Sequence, residues 1–232
     1  MRSITARLAA LAACMSLAGP AAAEAEGPLP ALHDVTGVAA GDVLNLRAGP
    51  DPDADLVGTL APDARDVEVV ELGRAPSGAA WAFVARPEGG AWAAARFLAR
   101  QDSEGGTGWL PPMLCAGNEP FWSFELGTGE IAALRMPDSE AAPVFVTRRT
   151  VSANDPRGHG VTARWDGPEG DPATFGITGA PVTALIRRAA CSDGMSDRPY
   201  GLAIDLLAGT LGPDGRSQTA HLSGCCRLAA PR

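Results

Sequence analysis

The adjacent cysteines Cys225-Cys226, in the closing stretch HLSGCCRL, restrict the architecture more than any other feature of the chain. A bridge between neighbours needs a strained eight-membered ring, so these two thiols are not expected to pair with each other. Two further cysteines, Cys115 and Cys191, lie past the N-terminal leader. An even number in an oxidising compartment reads first as two disulfides. Each member of the pair then reaches a different partner, Cys115 or Cys191, and the residues leave both pairings open. Successive residues of a strand point to opposite faces, so the bridges would leave the last strand on opposite sides. Each closes a long loop, worth about 2–4 kcal/mol. A metal site fits less well. Zinc knuckles space their thiols by two or more residues, and a copper(I) site would have to recruit Met113, Met136 and Met195, which serve more simply as core filling. A reactive thiol would need the help of His221 or Arg227, and pairing would quench it. Neither a metal ligand set nor a cofactor is therefore expected.

The N-terminus supports the oxidising compartment. MRSITARLAALAACMSLAGPAAAEAEGPLP opens with two arginines, runs apolar from Leu8 to Leu17 and reaches Ala21-Ala22-Ala23. This is the shape of a secretory signal over 1–23, followed by a short linker over 24–31. The apolar run is too short, and too interrupted by Gly19-Pro20, to be a membrane span, so no transmembrane segment is expected in the mature chain. Leu11-Ala12-Ala13-Cys14 also resembles a lipobox, the alternative in which Cys14 is acylated and anchors a lipoprotein. Either route exports the chain, and the periplasm is the expected location. The formal charge is −8, every basic residue is Arg, and no run of the sequence groups them into a stripe. Such a chain is a poor partner for nucleic acid or anionic lipid.

Past the leader the chain reads as mainly β in two units. QDSEGGTGWLPP, 101–112, is a Gly, Pro and polar stretch that reads as a linker between 32–100 and 113–232. The longest helical candidate is Ala91 to Arg100, AWAAARFLAR. Elsewhere, short runs rich in β-branched and aromatic residues alternate with turn signals: FWSFEL, PVFVTRRTV, GVTARW, ATFGITG, VTALIRRAA, YGLAIDLLA and SQTAHLSGCC. Period-two alternation in Val144-Val146 against Phe145-Thr147, and in Leu202-Ile204-Leu206, points to a meander, barrel or sandwich.

In the first unit, Leu44-Asn45-Leu46-Arg47-Ala48-Gly49-Pro50, then Val57-Gly58 to Leu60, Trp81, Val84, Trp92 and Phe97-Leu98 carry a resemblance to the bacterial SH3-type (SH3b) domain over about 65 residues. Two departures are Pro62-Asp63 at the tight turn and Ala91 between Gly90 and Trp92. The resemblance implies a small barrel that binds cell-wall peptide or an envelope protein, with contacts expected from Asn45, Arg47 and Trp92. Trp81, Phe83, Trp92 and Phe97 are numerous enough to fill such a barrel. The Tyr-lined groove that docks Pro-rich peptides is not expected, because the one tyrosine, Tyr200, lies outside this unit. Asp51, Asp53 and Asp55 alternate like the start of a calcium loop, but Leu56 and Pro62 stand where Gly and the closing Glu belong, so a solvated loop is expected.

In the second unit, LCAGNEPFWSFEL, CSDGMSDRPYGLAIDL and LSGCCRL resemble a family of uncharacterised bacterial envelope domains. The cysteine placement is similar, more loosely, to small periplasmic barrels that inhibit lysozymes. Ser192, Asp193, Ser196 and Asp197 crowd together, yet no G-x-S-x-G elbow frames either serine, so a turn held by local side chains is expected. His33, His159 and His221 have no spaced partner for a metal or a triad, and Glu119 reads as a polar anchor beside a strand rather than a general acid. The arginine pairs at 148–149 and 187–188 read as strand residues with one solvated member each. The expected function is therefore non-enzymatic: an exported envelope protein binding through its SH3-type module. The alternative is a periplasmic inhibitor or stress protein acting through the C-terminal domain.

Overall fold

The computed structural model describes residues 27–101, 109–136, 140–165, 179–211 and 217–230. The leader 1–23 with Cys14, linker residues 24–26 and 102–108, and ATFGITG up to residue 178 lie outside the described residues. The chain is mainly β, as the period-two runs imply. A small first unit precedes a closed antiparallel barrel tied by two disulfides.

The first unit is one seven-stranded antiparallel sheet. Its strands are β1 (Ala31–Val35), β2 (Leu44–Arg47), β3 (Leu56–Leu60), β4 (Val67–Arg74), β5 (Ala80–Val84), β6 (Ala91–Ala94) and β7 (Leu98–Arg100), in the order β3-β2-β6-β5-β4-β1-β7. The helix expected over Ala91 to Arg100 is replaced by β6, a single 3-10 turn at Ala95–Phe97, and β7. Alanine-rich composition favours a helix locally, but long-range pairing decides the outcome. Phe83 pairs with Trp92, Val84 with Ala91, and β7 pairs along β1.

Of the aromatic residues expected to fill this unit, Trp81 is buried, whereas Phe83, Trp92 and Phe97 are only partly buried. Its core is aliphatic, built from Leu44, Leu46, Val69, Val84, Ala93 and their neighbours, with Phe97 packed at its margin. Along β5 and β6 the inward residues are Ala82, Val84, Ala91 and Ala93. Alternation therefore turns Trp81, Phe83 and Trp92 onto the opposite face. Phe83 and Trp92 stack there, ring centres 4.9 Å apart. A Cβ on Gly73 would lie 2.7 Å from the Trp92 ring, and one on Gly90 only 2.0 Å from Phe83, so glycine at both positions makes room for the pair.

The second unit runs through β8 (Met113–Asn118), β9 (Phe121–Leu126), β10 (Ile131–Arg135), β11 (Ala142–Val151), β12 (Gly158–Trp165), β13 (Pro181–Cys191), β14 (Tyr200–Leu211) and β15 (Ser217–Leu228). Each strand pairs with the next, and β15 returns to β8, closing an eight-stranded up-and-down barrel with no free edge. Leu202, Ile204 and Leu206 point inward with Phe124, Leu134 and Ile186. Trp122 lies in a hollow left by two glycines: a Cβ on Gly117 would come within 2.2 Å of its indole nitrogen, and one on Gly224 within 2.9 Å of its ring.

The end of the expected linker belongs to the barrel. Leu110 is buried in the barrel core, and Trp109 packs edge-on against the buried His159, ring centres 5.4 Å apart. Arg149 of β11 binds the carbonyls of Gly127 and Gly129, which leaves Arg148 as the solvated member of its pair. Arg188 of β13 donates to the carbonyls of Pro28 and Pro30, joining the barrel to the segment that enters β1, while Arg187 stays exposed. A second joint is ionic. Glu68 on β4 is 4% exposed and accepts from Arg198 at 2.6 Å and from the backbone N–H of Leu228 at 3.1 Å.

Candidate functional site

The pairing left open by the sequence is fixed by register. Cys226 stands directly opposite Cys115 across the β15–β8 ladder, and the two are bonded inside the barrel. Cys225, one residue earlier, points outward and bonds Cys191 at the end of β13. All four thiols named by the sequence are thus consumed. Met113 and Met136 sit in the core and Met195 is 68% exposed, so the three methionines do not converge.

The outer face of β2, β6 and β5 carries a concavity. Asn45 and Arg47 alternate outward from β2, because Leu44 and Leu46 take the core side. They line a cleft of about 720 Å³ together with Asp42, Trp81, Arg96 and Phe97. Arg47 is pinned by its donation to the carbonyl of Ala54 at 2.7 Å, which fixes the acidic 51–55 loop beside the cleft. That loop is a turn in which Asp51 accepts from the N–H of Asp53 at 2.8 Å. Among the described residues, no group of three His, Cys, Asp or Glu side chains could hold a metal ion. Arg96 lies over the Phe97 ring at 4.5 Å and has no carboxylate partner among the described residues. The cleft combines an aromatic wall with a cation and an amide, which suits a peptide bearing both apolar and anionic groups.

Of the three residues expected to make contacts, the structure brings Asn45 and Arg47 together in the cleft. Trp92 does not line it. Trp92 stands opposite Arg47 on the same face, stacked on Phe83 beyond the cleft's edge. Sequence reasoning missed Trp81, Arg96 and Phe97 as lining residues. Trp81 reads as core and is buried, yet its ring also borders the cleft, and Arg96 and Phe97 fall inside the segment read as a helix.

On the barrel, the CSDGMSDRPY segment is a turn organised by Asp193. Its carboxylate accepts from the N–H of Met195 and of Ser196, from the Ser196 hydroxyl and from the Tyr200 hydroxyl. Those bonds, the backbone ones first, hold Asp193 down to about 2, while Tyr200 is raised, chiefly by burial. The carboxylate bonded to the Ser196 hydroxyl is held too acidic by these bonds to take up its proton, so the pair is not arranged as nucleophile and base. On the barrel's outer wall, Asp205 accepts from Ser223 and bonds the His221 ring, each at 3.0 Å, with Arg187 at 3.4 Å. The His221 bond is the main cause that holds the Asp205 carboxyl below the usual carboxylate range. No hydroxyl there hydrogen-bonds the imidazole, so this is an electrostatic clasp across β14 and β15 and not a triad. Burial also lowers His33, whose ring bonds the carbonyl of Ala31 at 3.1 Å. Glu119 lies exposed in the turn between β8 and β9, an anchor position without a proton-transfer partner among the described residues.

No protein-family model, curated protein or solved structure matches the chain. Among the described residues no helix is long and apolar enough to cross a membrane. The two disulfides fit an oxidising environment.

Proposed function

We propose that the chain is an exported, periplasmic binding protein of the cell envelope. In this reading the first unit, the one resembling an SH3b module, attaches to cell-wall peptide or to an envelope protein. The observation that carries this reading is the cleft on the outer face of β2, β6 and β5. There Trp81 and Phe97 supply an apolar wall, and Asn45 and Arg96, the latter over the Phe97 ring, supply polar recognition. Phe97, only partly buried, and the edge of the buried Trp81 give a ligand apolar area to cover. Membrane attachment through Cys14 is the alternative form of the same export. The test is co-sedimentation of the oxidised mature protein with isolated cell-wall sacculi. The wild type is expected to pellet, and Asn45→Ala and Arg96→Ala are expected to stay largely in solution. If the wild type remains in the supernatant, wall binding is refuted.

A second reading rests on Met195, exposed at the tip of the turn that Asp193 braces. A rigid loop with an apolar tip is the form by which a barrel would plug another enzyme's site, as in the lysozyme inhibitors whose cysteine placement this unit resembles. Met195→Asp should then abolish inhibition of lysozyme while leaving sacculus binding intact. Absence of inhibition by the wild type refutes this reading.

A further inference from the structure

The arginines that look dispersed along the chain gather at the junction of the two units. Arg65 comes from the segment before β4, Arg86 from the segment after β5, Arg198 from the turn before β14, and Arg227 from β15; all four line one crevice of about 280 Å³. Only two carboxylates, Asp66 and Glu68, share that lining. A neighbouring hollow of about 470 Å³ is also lined by Pro87, Arg198 and Arg227, so the two spaces adjoin along these residues.

The local charge does not balance. Glu68 is matched by Arg198 at 2.6 Å, and Arg65 is matched by Asp34 at 3.1 Å outside the crevice. Asp66 is occupied by the side-chain amide of Gln101 at 2.9 Å. Among the described residues, Arg86 and Arg227 form no salt bridge, although Arg227 lies within electrostatic reach of Glu68. Arg86 is held by one donation to the carbonyl of Val57 at 3.4 Å, and its Nε, like that of Arg198, is buried without a hydrogen-bond partner. Two guanidiniums outside any salt bridge, beside a third oriented by Glu68, gather donors in one crevice of an otherwise acidic protein. Guanidinium forks match the oxygens of phosphate in geometry and in charge.

We propose that this crevice is a binding site for a phosphate dianion, free or as a monoester, contacted by Arg86 and Arg227 from opposite units with Arg198 behind them. Such a ligand would bridge the two units and tighten their junction. A single phosphate group fits the volume of the crevice and the local excess of two positive charges. A polyanion does not, because the surrounding protein is acidic. The site is separate from the cleft of Asn45 and Arg96, and the two can fail independently.

The test is calorimetric titration of the full oxidised mature protein with inorganic phosphate and, separately, with glycerol phosphate, each against chloride at matched ionic strength. Saturable binding with one site is expected. Arg227→Ala and Arg86→Ala should each weaken it about tenfold, and Asn45→Ala should leave it unchanged. Arg227 is exposed, so its variant is expected to keep the wild-type melting temperature in the absence of phosphate. Arg227→Lys should restore part of the affinity. Equal binding of both probes means the site accepts monoesters; binding of inorganic phosphate alone means the free ion is the ligand. Absence of saturable binding by either probe overturns the proposal, as does binding that both arginine variants leave untouched.

Discussion

The two bridges leave β15 on opposite faces, and removing them one at a time should have unequal effects. Cys115–Cys226 spans 111 positions of sequence and Cys191–Cys225 spans 34. Loop-closure entropy alone gives about 4.8 and about 3.8 kcal/mol respectively when each bond is taken in isolation. The inner bond has a further contribution. Both of its cysteines are fully buried, at 0% exposure, among Phe124 and the other core residues. Cys115→Ala with Cys226→Ala therefore also removes two packed sulfurs, which adds about 1–2 kcal/mol of transfer and cavity cost. Cys191 is only partly buried, so Cys191→Ala with Cys225→Ala leaves less of a void. The outer variant should lose about 4 kcal/mol and the inner about 6 kcal/mol, read as melting temperatures by calorimetry under oxidising conditions. On the same geometry, graded reduction and alkylation should label Cys191 and Cys225 first, because only the outer bond is reachable from solvent. An outer variant as unstable as the inner one, or first labelling at Cys115 or Cys226, would refute this account of the barrel wall.

Other consequences can be checked with single substitutions. Gly224→Ala places a methyl group 2.1 Å from the carbonyl oxygen of Ala116, a backbone atom that cannot rotate away; the barrel should lose at least about 2 kcal/mol in urea unfolding. Burial raises the Glu68 carboxyl despite Arg198 and the Leu228 N–H. A carboxyl raised on folding contributes stability that is full below its unfolded value near 4.5 and is lost as pH rises through the folded value. Glu68→Gln should therefore gain stability relative to wild type as pH rises through that window, and a difference that stays constant with pH would contradict the assignment. Tyr200 is the one tyrosine of the chain, so its ultraviolet titration reports on the turn directly. Asp193→Asn should bring the raised Tyr200 hydroxyl down, because the neighbouring carboxylate opposes its ionisation; an unchanged titration would show that the turn is not built on Asp193.

How far the sequence reveals the fold differs from element to element, and the reason is physical. Leu202-Ile204-Leu206 alternates with less apolar neighbours, and the barrel uses that period directly. The Asp193 turn is equally readable, since its bonds run to residues two, three and seven positions on. The choice of Cys115 for Cys226 is different. It depends on the register of β15 against β8, more than a hundred residues apart, and no local pattern carries that register. Helix propensity in AWAAARFLAR misleads for a related reason: alternating burial of Ala91 and Ala93 can be recognised only once β5 lies beside them.

The candidate site was hidden by a more specific ambiguity. In AWAFV every residue is apolar, so period two separates the faces without saying which is inward. Size then points to Trp81 and Phe83 as core; Trp81 is buried, but the aliphatic cluster of the first unit closes on Ala82, Val84, Ala91 and Ala93 and leaves Phe83 half-buried. Small inward side chains let the sheet approach the rest of its core closely, and they send the bulky rings to the outer face, where Asn45, Arg47 and Arg96 meet them. The arginine crevice is a second case. Arg65, Arg86, Arg198 and Arg227 are spread over most of the chain and form no stripe in the sequence, yet docking of the sheet on the barrel brings them around one space. Sites that draw side chains from two units are set by how those units pack, and a linear charge pattern carries no record of that packing.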